Sequence, residues 1–170
     1  NCNNFHKRLS AYNNRNQVVE RRYYGTDGKL TNYKDDRFAI ERCEYDDRGY
    51  VVLVAYFGKD EKPVACQAGW ASSKAELDAQ GRSVRQFFYD AKGKPTNPSK
   101  KIPEEFYKYD QWGNLNYMAS ADGNGKLIDN PQTGWCIRRQ IYDLRGNLLE
   151  EAYFNKEDLP VASKTIGCHK

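Results

Sequence analysis

Acid–base, nucleophilic and metal chemistry rest on a few side-chain types, and two of these are scarce in this chain. His6 and His169 are the only histidines and stand near opposite ends, so no histidine pair or cluster is encoded locally. The five cysteines, Cys2, Cys43, Cys66, Cys136 and Cys168, form no C-x-x-C pair and have no histidine at ligand spacing, which argues against a metal centre. Cys168 and His169 are adjacent, and neighbours on a strand point to opposite faces, so they do not read as nucleophile and base. Gly123-Asn124-Gly125 is not followed by a helix start and does not read as a phosphate loop; no cofactor is indicated.

Carboxylates remain. Asp46, Asp78, Asp110 and Asp143 recur regularly, and a carboxylate pair could hydrolyse polysaccharide. Each is followed three residues later by a glycine: Gly49, Gly81, Gly113 and Gly146. That spacing suits a hairpin loop in which Asp accepts backbone amides and Gly takes a positive φ. The aspartates are therefore read as structural, and a non-enzymatic role is expected.

One constellation could bind a ligand. Phe38 and Arg42, Trp70 and Lys74, and Trp135 and Arg139 each place a base four residues after an aromatic ring, on one face if both lie in a strand. Rings with cationic neighbours are used to hold proteins or glycans. The competing reading is that the basic stems lie over the rings and cover them. Copies with Phe5/Leu9 and Ile102/Phe106 at these two positions break the pattern, which suits a covered face.

The elements that position these residues follow from an internal repeat. The four glycines recur every 32 or 33 residues, and one step back lies Asn16, the best substitute for glycine at a left-handed turn. Seven residues after the turn position stand Tyr23, Tyr56, Phe88, Ser120 and Tyr153; twelve after stand Gly28, Glu61, Gly93, Gly125 and Asp158, marking a second turn. Between the turns, stretches such as Val51–Phe57 and Leu148–Phe154 have the length and composition of strands. Ala75–Gln80 looks helical in isolation, but its phase in the repeat makes it strand and turn.

An all-β fold is expected: five units, roughly 5–37, 38–69, 70–101, 102–134 and 135–167, each with two long strands and one short one, forming a single domain. Tandem antiparallel hairpins would then build one long twisted or coiled sheet. The alternative is a small closed propeller, for which 32 residues per blade is short. The cysteines fall at different phases of the unit, which excludes a repeat-encoded disulfide ladder and leaves individual bridges or free thiols open.

Composition narrows the partners. Lys+Arg 27 against Asp+Glu 23 gives a net charge of +4, with the two signs interleaved as in Glu41-Arg42-Cys43-Glu44. Nucleic acid binding needs clustered phosphate contacts and is not expected. Mean hydropathy is −0.94, and no apolar run is long enough for a membrane-spanning helix. Aromatic content of 14% indicates folding rather than disorder.

At Tyr45-Asp46, Tyr109-Asp110 and Tyr142-Asp143, with their glycines, the chain resembles bacterial repeat proteins of the YD or RHS kind, whose arrays carry such hairpins in tandem. The resemblance implies a secreted or cell-surface β-scaffold, while the whole number of units suits a piece of a longer array or a small secreted protein built only of repeats. The expected function is an interaction module or structural scaffold with a protein or glycan partner. A carbohydrate-binding module or a polysaccharide hydrolase is the alternative.

Overall fold

The computed structural model describes residues 5–34, 36–98 and 101–164. Cys2, Gly167, Cys168 and His169 lie outside the described residues. Ten strands run β1 (Lys7–Tyr12), β2 (Val18–Tyr24), β3 (Ile40–Tyr45), β4 (Val51–Phe57), β5 (Ser72–Leu77), β6 (Ser83–Tyr89), β7 (Glu104–Tyr109), β8 (Leu115–Ala121), β9 (Ile137–Tyr142) and β10 (Leu148–Phe154). They form one antiparallel sheet in chain order, with β1 and β10 at its edges. The sheet is open, so the closed propeller is not the architecture. Ser72–Leu77 is strand, as its phase requires.

One loop conformation recurs ten times, with a common side-chain chemistry at the five first turns. At the first turn of each hairpin, the amides of Asn13, Asp46, Asp78, Asp110 and Asp143 donate to the carbonyl four residues on. The amide of the fourth loop residue returns to the opening residue's carbonyl. The fourth residue is left-handed: φ is 59° at Asn16, 94° at Gly49, 81° at Gly81, 94° at Gly113 and 81° at Gly146. This is a type I turn closed by a residue of positive φ, and it adds one residue to the strand. A separate register shift follows every first turn three residues past that position, where Val19, Val52, Val84, Asn116 and Leu149 are left unpaired as strand bulges. The opening side chain accepts two amides; Asp46 Oδ1 takes those of Arg48 and Tyr50 at 3.0 and 2.9 Å.

Second turns repeat the pattern, with positive φ at Gly28, Glu61, Gly93, Gly125 and Asp158. Beyond each, one residue bridges back to the end of the long strand: Leu30, Pro63, Pro95, Leu127 and Pro160. These are the short third strands, and a proline that cannot extend a ladder limits three of them.

Burial is graded along the strands. Tyr23, Phe38, Ile40, Phe88, Ile102, Ala119, Trp135 and Ile137 are buried, all toward the second-turn end. Links between hairpins fold over that end, where Cys66, Val64 and Ala68 pack with Phe38, Tyr56 and Trp70. Toward the first-turn end the sheet is a single layer, and Tyr12, Tyr50, Trp112, Leu144, Leu148 and Leu149 are exposed.

Successive units join through the first turn and its tyrosine. Tyr45, Tyr109 and Tyr142 hydroxyls donate to the carbonyls of Val18, Ser83 and Leu115 in the preceding hairpin, at 2.8, 3.0 and 3.2 Å. The residue after each turn covers the next turn's glycine: Gln17 lies over Gly49 and donates to its carbonyl, and Tyr50 lies over Gly81. Arg48 donates across the same junction to the Asp78 carbonyl at 2.6 Å.

Two outcomes follow. A Cβ at Gly81 would stand 2.4 Å from the Tyr50 ring, whereas at Gly146 the nearest atom is 3.6 Å away. Gly146→Ala should therefore lose about 1–2 kcal/mol for its left-handed backbone, and Gly81→Ala at least about 1 kcal/mol more, measured by urea denaturation. Equal losses would show that the ring does not hold the junction. Leu77 stands at the tyrosine position, opposite the Val51 carbonyl by phase, so Leu77→Tyr should raise stability by about 0.5–1.5 kcal/mol in the same assay. No gain would remove the tyrosine from its joining role.

Candidate binding surface

The register sorts every strand residue onto one of two faces. Tyr23, Tyr56, Phe88, Ser120 and Tyr153 stand on one, together with Glu41 and Arg138, their cross-strand neighbours. Here the anchors Phe5, Phe38 and Trp70 alternate with the hairpin rings. Centroid distances run 5.1 Å from Phe5 to Tyr23, 6.1 Å to Phe38, 4.4 Å to Tyr56, 5.3 Å to Trp70 and 5.6 Å to Phe88. Ile102 and Ser120 interrupt this ladder, and Trp135 and Tyr153 resume it at 5.4 Å.

The bases expected beside these anchors lie on the opposite face. Phe38 stacks on Tyr56, but Arg42 sits over Phe57, the next residue, at 4.3 Å. Trp135 meets Tyr153, while Arg139 sits over Phe154 at 4.4 Å. Lys74 is exposed and pairs across strands with Leu53 and Phe87 on the Arg42 face. The single-face array of Phe38, Trp70 and Trp135 with Arg42, Lys74 and Arg139 is thus corrected. The anchors precede the strands, since β3 begins at Ile40 and β9 at Ile137, so a period of two cannot be counted from them.

Charge on the opposite face is largely paired. Arg22 and Arg42 share Glu20 at 2.6 and 2.7 Å, and Arg22 holds Glu61 through both guanidinium nitrogens at 2.9 and 3.2 Å. The Arg22 hydrogen bond chiefly holds the Glu20 carboxyl below its ordinary value, and does the same at Glu61. Glu61 and Asp158 occupy the left-handed position that glycine fills elsewhere. Each returns a carboxylate to an arginine, Asp158 to Arg139 at 2.8 Å. In the fourth unit the Gly125 amide instead donates to Glu104 at 2.9 Å, and Glu104 also pairs with Arg85.

Where a carboxylate pair could act is decided by the same register. Glu104 and Glu105 are fully buried but consecutive on β7, so they point to opposite faces; Glu105 accepts from the Tyr107 hydroxyl at 2.9 Å. The turn aspartates are held ionised. The side-chain amides of Asn114 and Asn147 do most to lower Asp110 and Asp143. At Asp46 and Asp78 desolvation is the largest contribution and raises the value, but backbone amides and an arginine together outweigh it. A general acid needs the reverse shift.

Cys43, Cys66 and Cys136 are free thiols, and burial raises the first and last, which disfavours a reactive thiolate. Among the described residues no group of three histidine, cysteine, aspartate or glutamate side chains is arranged to hold a metal. No helix is long and apolar enough to cross a membrane.

What the opposite face offers is clefts between hairpins. The one between the fourth and fifth hairpins, about 400 Å³, has Tyr117 and Phe154 as rings, with Lys108, Arg139 and Glu150 beside them. Lys108 lies over Tyr117 at 4.9 Å. A smaller cleft of about 240 Å³ lies between the second and third hairpins, against Phe57, Pro63 and Asp90. Of the cleft residues, sequence spacing singled out Arg139 as a binding residue. Its ring is the cross-strand Phe154, reachable by pairing positions eight after the turn glycine with the facing strand.

The ladder is core, which sets a test. Trp135→Ala, at a residue 7% exposed, should cost about 3–5 kcal/mol, and Trp70→Ala somewhat less because that ring is half-buried. Thermal and chemical denaturation that left both variants at wild-type stability would return these rings to the binding surface. Neither any protein-family model nor any curated protein matches the chain.

Proposed function

We propose that the chain is a non-enzymatic interaction module, a repeat scaffold that holds a protein segment in the cleft between its fourth and fifth hairpins. The observation that carries this reading is the cleft itself: two rings, Tyr117 and Phe154, with Lys108 and Arg139 over them and open to solvent. Cations stacked on rings present donors to an acidic or carbonyl-rich ligand while the ring edges take apolar groups. Exposed Trp112 and Leu144 at the neighbouring turns extend the apolar surface, as at protein contact sites. The commitment of the turn aspartates to backbone amides supports binding over hydrolysis. The likeness of the Y-D-x-x-G turns to YD and RHS repeats supports a bacterial, secreted or surface setting.

The test compares wild type with Lys108→Ala/Arg139→Ala on arrays of immobilised acidic and aromatic peptides and of glycans. Lys108 is exposed, and the Arg139–Asp158 pair is solvated, so stability should change by less than about 1 kcal/mol. Peptide retention that is lost in the variant is the expected result. Retention on glycans alone would replace the protein partner with a carbohydrate, and turnover in a hydrolase and transferase screen would overturn the reading.

A further inference from the structure

The internal junctions of the sheet define what each of its outer edges lacks. At a junction, the leading hairpin offers a carbonyl two residues past its turn glycine, and the following hairpin offers a tyrosine hydroxyl to it. At the first edge, Tyr12 holds the position of Tyr45, Tyr109 and Tyr142; it is 56% exposed, and its hydroxyl has no partner among the described residues. At the last edge, Leu148 holds the carbonyl position of Val18, Ser83 and Leu115. Asn147 stands where Gln17 and Tyr50 cover the next turn. The two edges are therefore the two halves of a contact whose strand pairing recurs at four internal junctions and whose tyrosine bond recurs at three of them.

Backbone and charge agree with that complementarity. Between β2 and β3, Arg21 faces Glu41 and Glu20 faces Arg42, and the Tyr23 amide donates to the Ala39 carbonyl at 3.0 Å. Carried to the edges in the same phase, Glu151 of β10 would face Arg8 of β1, and Glu150 would face Leu9 with Lys7 diagonal to it. Opposite charges across a strand pair favour it and like charges disfavour it. Antiparallel pairing of β10 with a second β10 over its full length would set Glu151 against itself, and the same pairing of β1 would set Lys7 against Tyr12 and Arg8 against Ala11 with no ion pair gained.

We infer that β1 of one molecule docks on β10 of a second copy of this chain, head to tail, continuing the sheet in register through the Tyr12 hydroxyl and the Leu148 carbonyl. Such a contact uses two different surfaces and does not close on itself, so assembly is an open series rather than a dimer. The partner is another copy, which makes this independent of the ligand held by the cleft between hairpins four and five.

The experiment is sedimentation of residues 1–170 across a wide concentration range, with two variants checked for folding by circular dichroism. Arg8→Glu blocks the head, placing two acids opposite each other. Glu151→Pro blocks the tail: Glu151 holds the position of Arg21, two residues before the ring position and past the bulge, so by phase with Tyr23 its amide points outward, and an edge strand tolerates proline. Wild type should form a concentration-dependent ladder of species. Each variant alone should need at least about tenfold higher concentration to associate, and their mixture should stop at a one-to-one pair. Should Glu151→Pro not fold, Glu150→Lys at an exposed position takes its place. A wild type that stays monomeric at every concentration, or variants that each form dimers with themselves, would overturn the inference.

Discussion

The left-handed fourth residue of each loop is the constraint on which the rest of the structure depends. The turn it closes and the bulge three residues later, at Val19, Val52, Val84, Asn116 and Leu149, together set which side chains face which way. Because all five first turns share it, the ladder rings fall on one face and the ring-covering arginines on the other throughout the chain. Asn16, Glu61 and Asp158 hold this conformation without being glycine. Glu61 and Asp158 bind arginines with the carboxylates so placed, which offsets part of the backbone strain.

The fourth unit shows what happens when that scheme is kept but its side chains change. Ile102 and Ser120 stand where rings are found elsewhere, so the ladder loses both partners at once. Glu104 takes the position of Ile40 and Ile137 and is buried against Arg85 and the Gly125 amide. Ser120 Oγ, Trp135 Nε1 and Arg138 Nε are buried without hydrogen-bond partners among the described residues. Unpaired buried polar atoms of this kind cost stability, so this junction is the weakest point of the ladder face.

Much of the fold was legible because the repeat is written in residues with strong backbone preferences. Aspartate three before glycine, asparagine in its place at Asn16, and proline after the second turn each announce local geometry. Tyrosine at Tyr45 did not announce its partner, since the Val18 carbonyl lies 27 residues back and is reached only once hairpins stack in order. The placement of Arg42 and Arg139 failed for a different reason. Their anchors belong to the link before the strand, where alternation does not hold, and only the cross-strand register reveals that Phe57 and Phe154 are the rings they cover. Glu104 was illegible because an acid at a strand start reads as solvated unless its arginine, nineteen residues earlier, is known to face it.

The proposed binding role rests on how little of the sheet is enclosed. Toward the first-turn end no second layer packs on the sheet among the described residues, and Tyr12, Tyr50 and Trp112 are exposed there. Enclosed catalysis relies on excluding water and on groups whose proton affinities are pushed apart by burial. Here the buried carboxylates Glu104 and Glu105 sit on opposite faces, and those of the turns are tied to amides. In the proposed role, a cleft floored by Tyr117 and Phe154 and flanked by Lys108 and Arg139 would meet a partner that brings its own surface and supplies the desolvation the scaffold lacks.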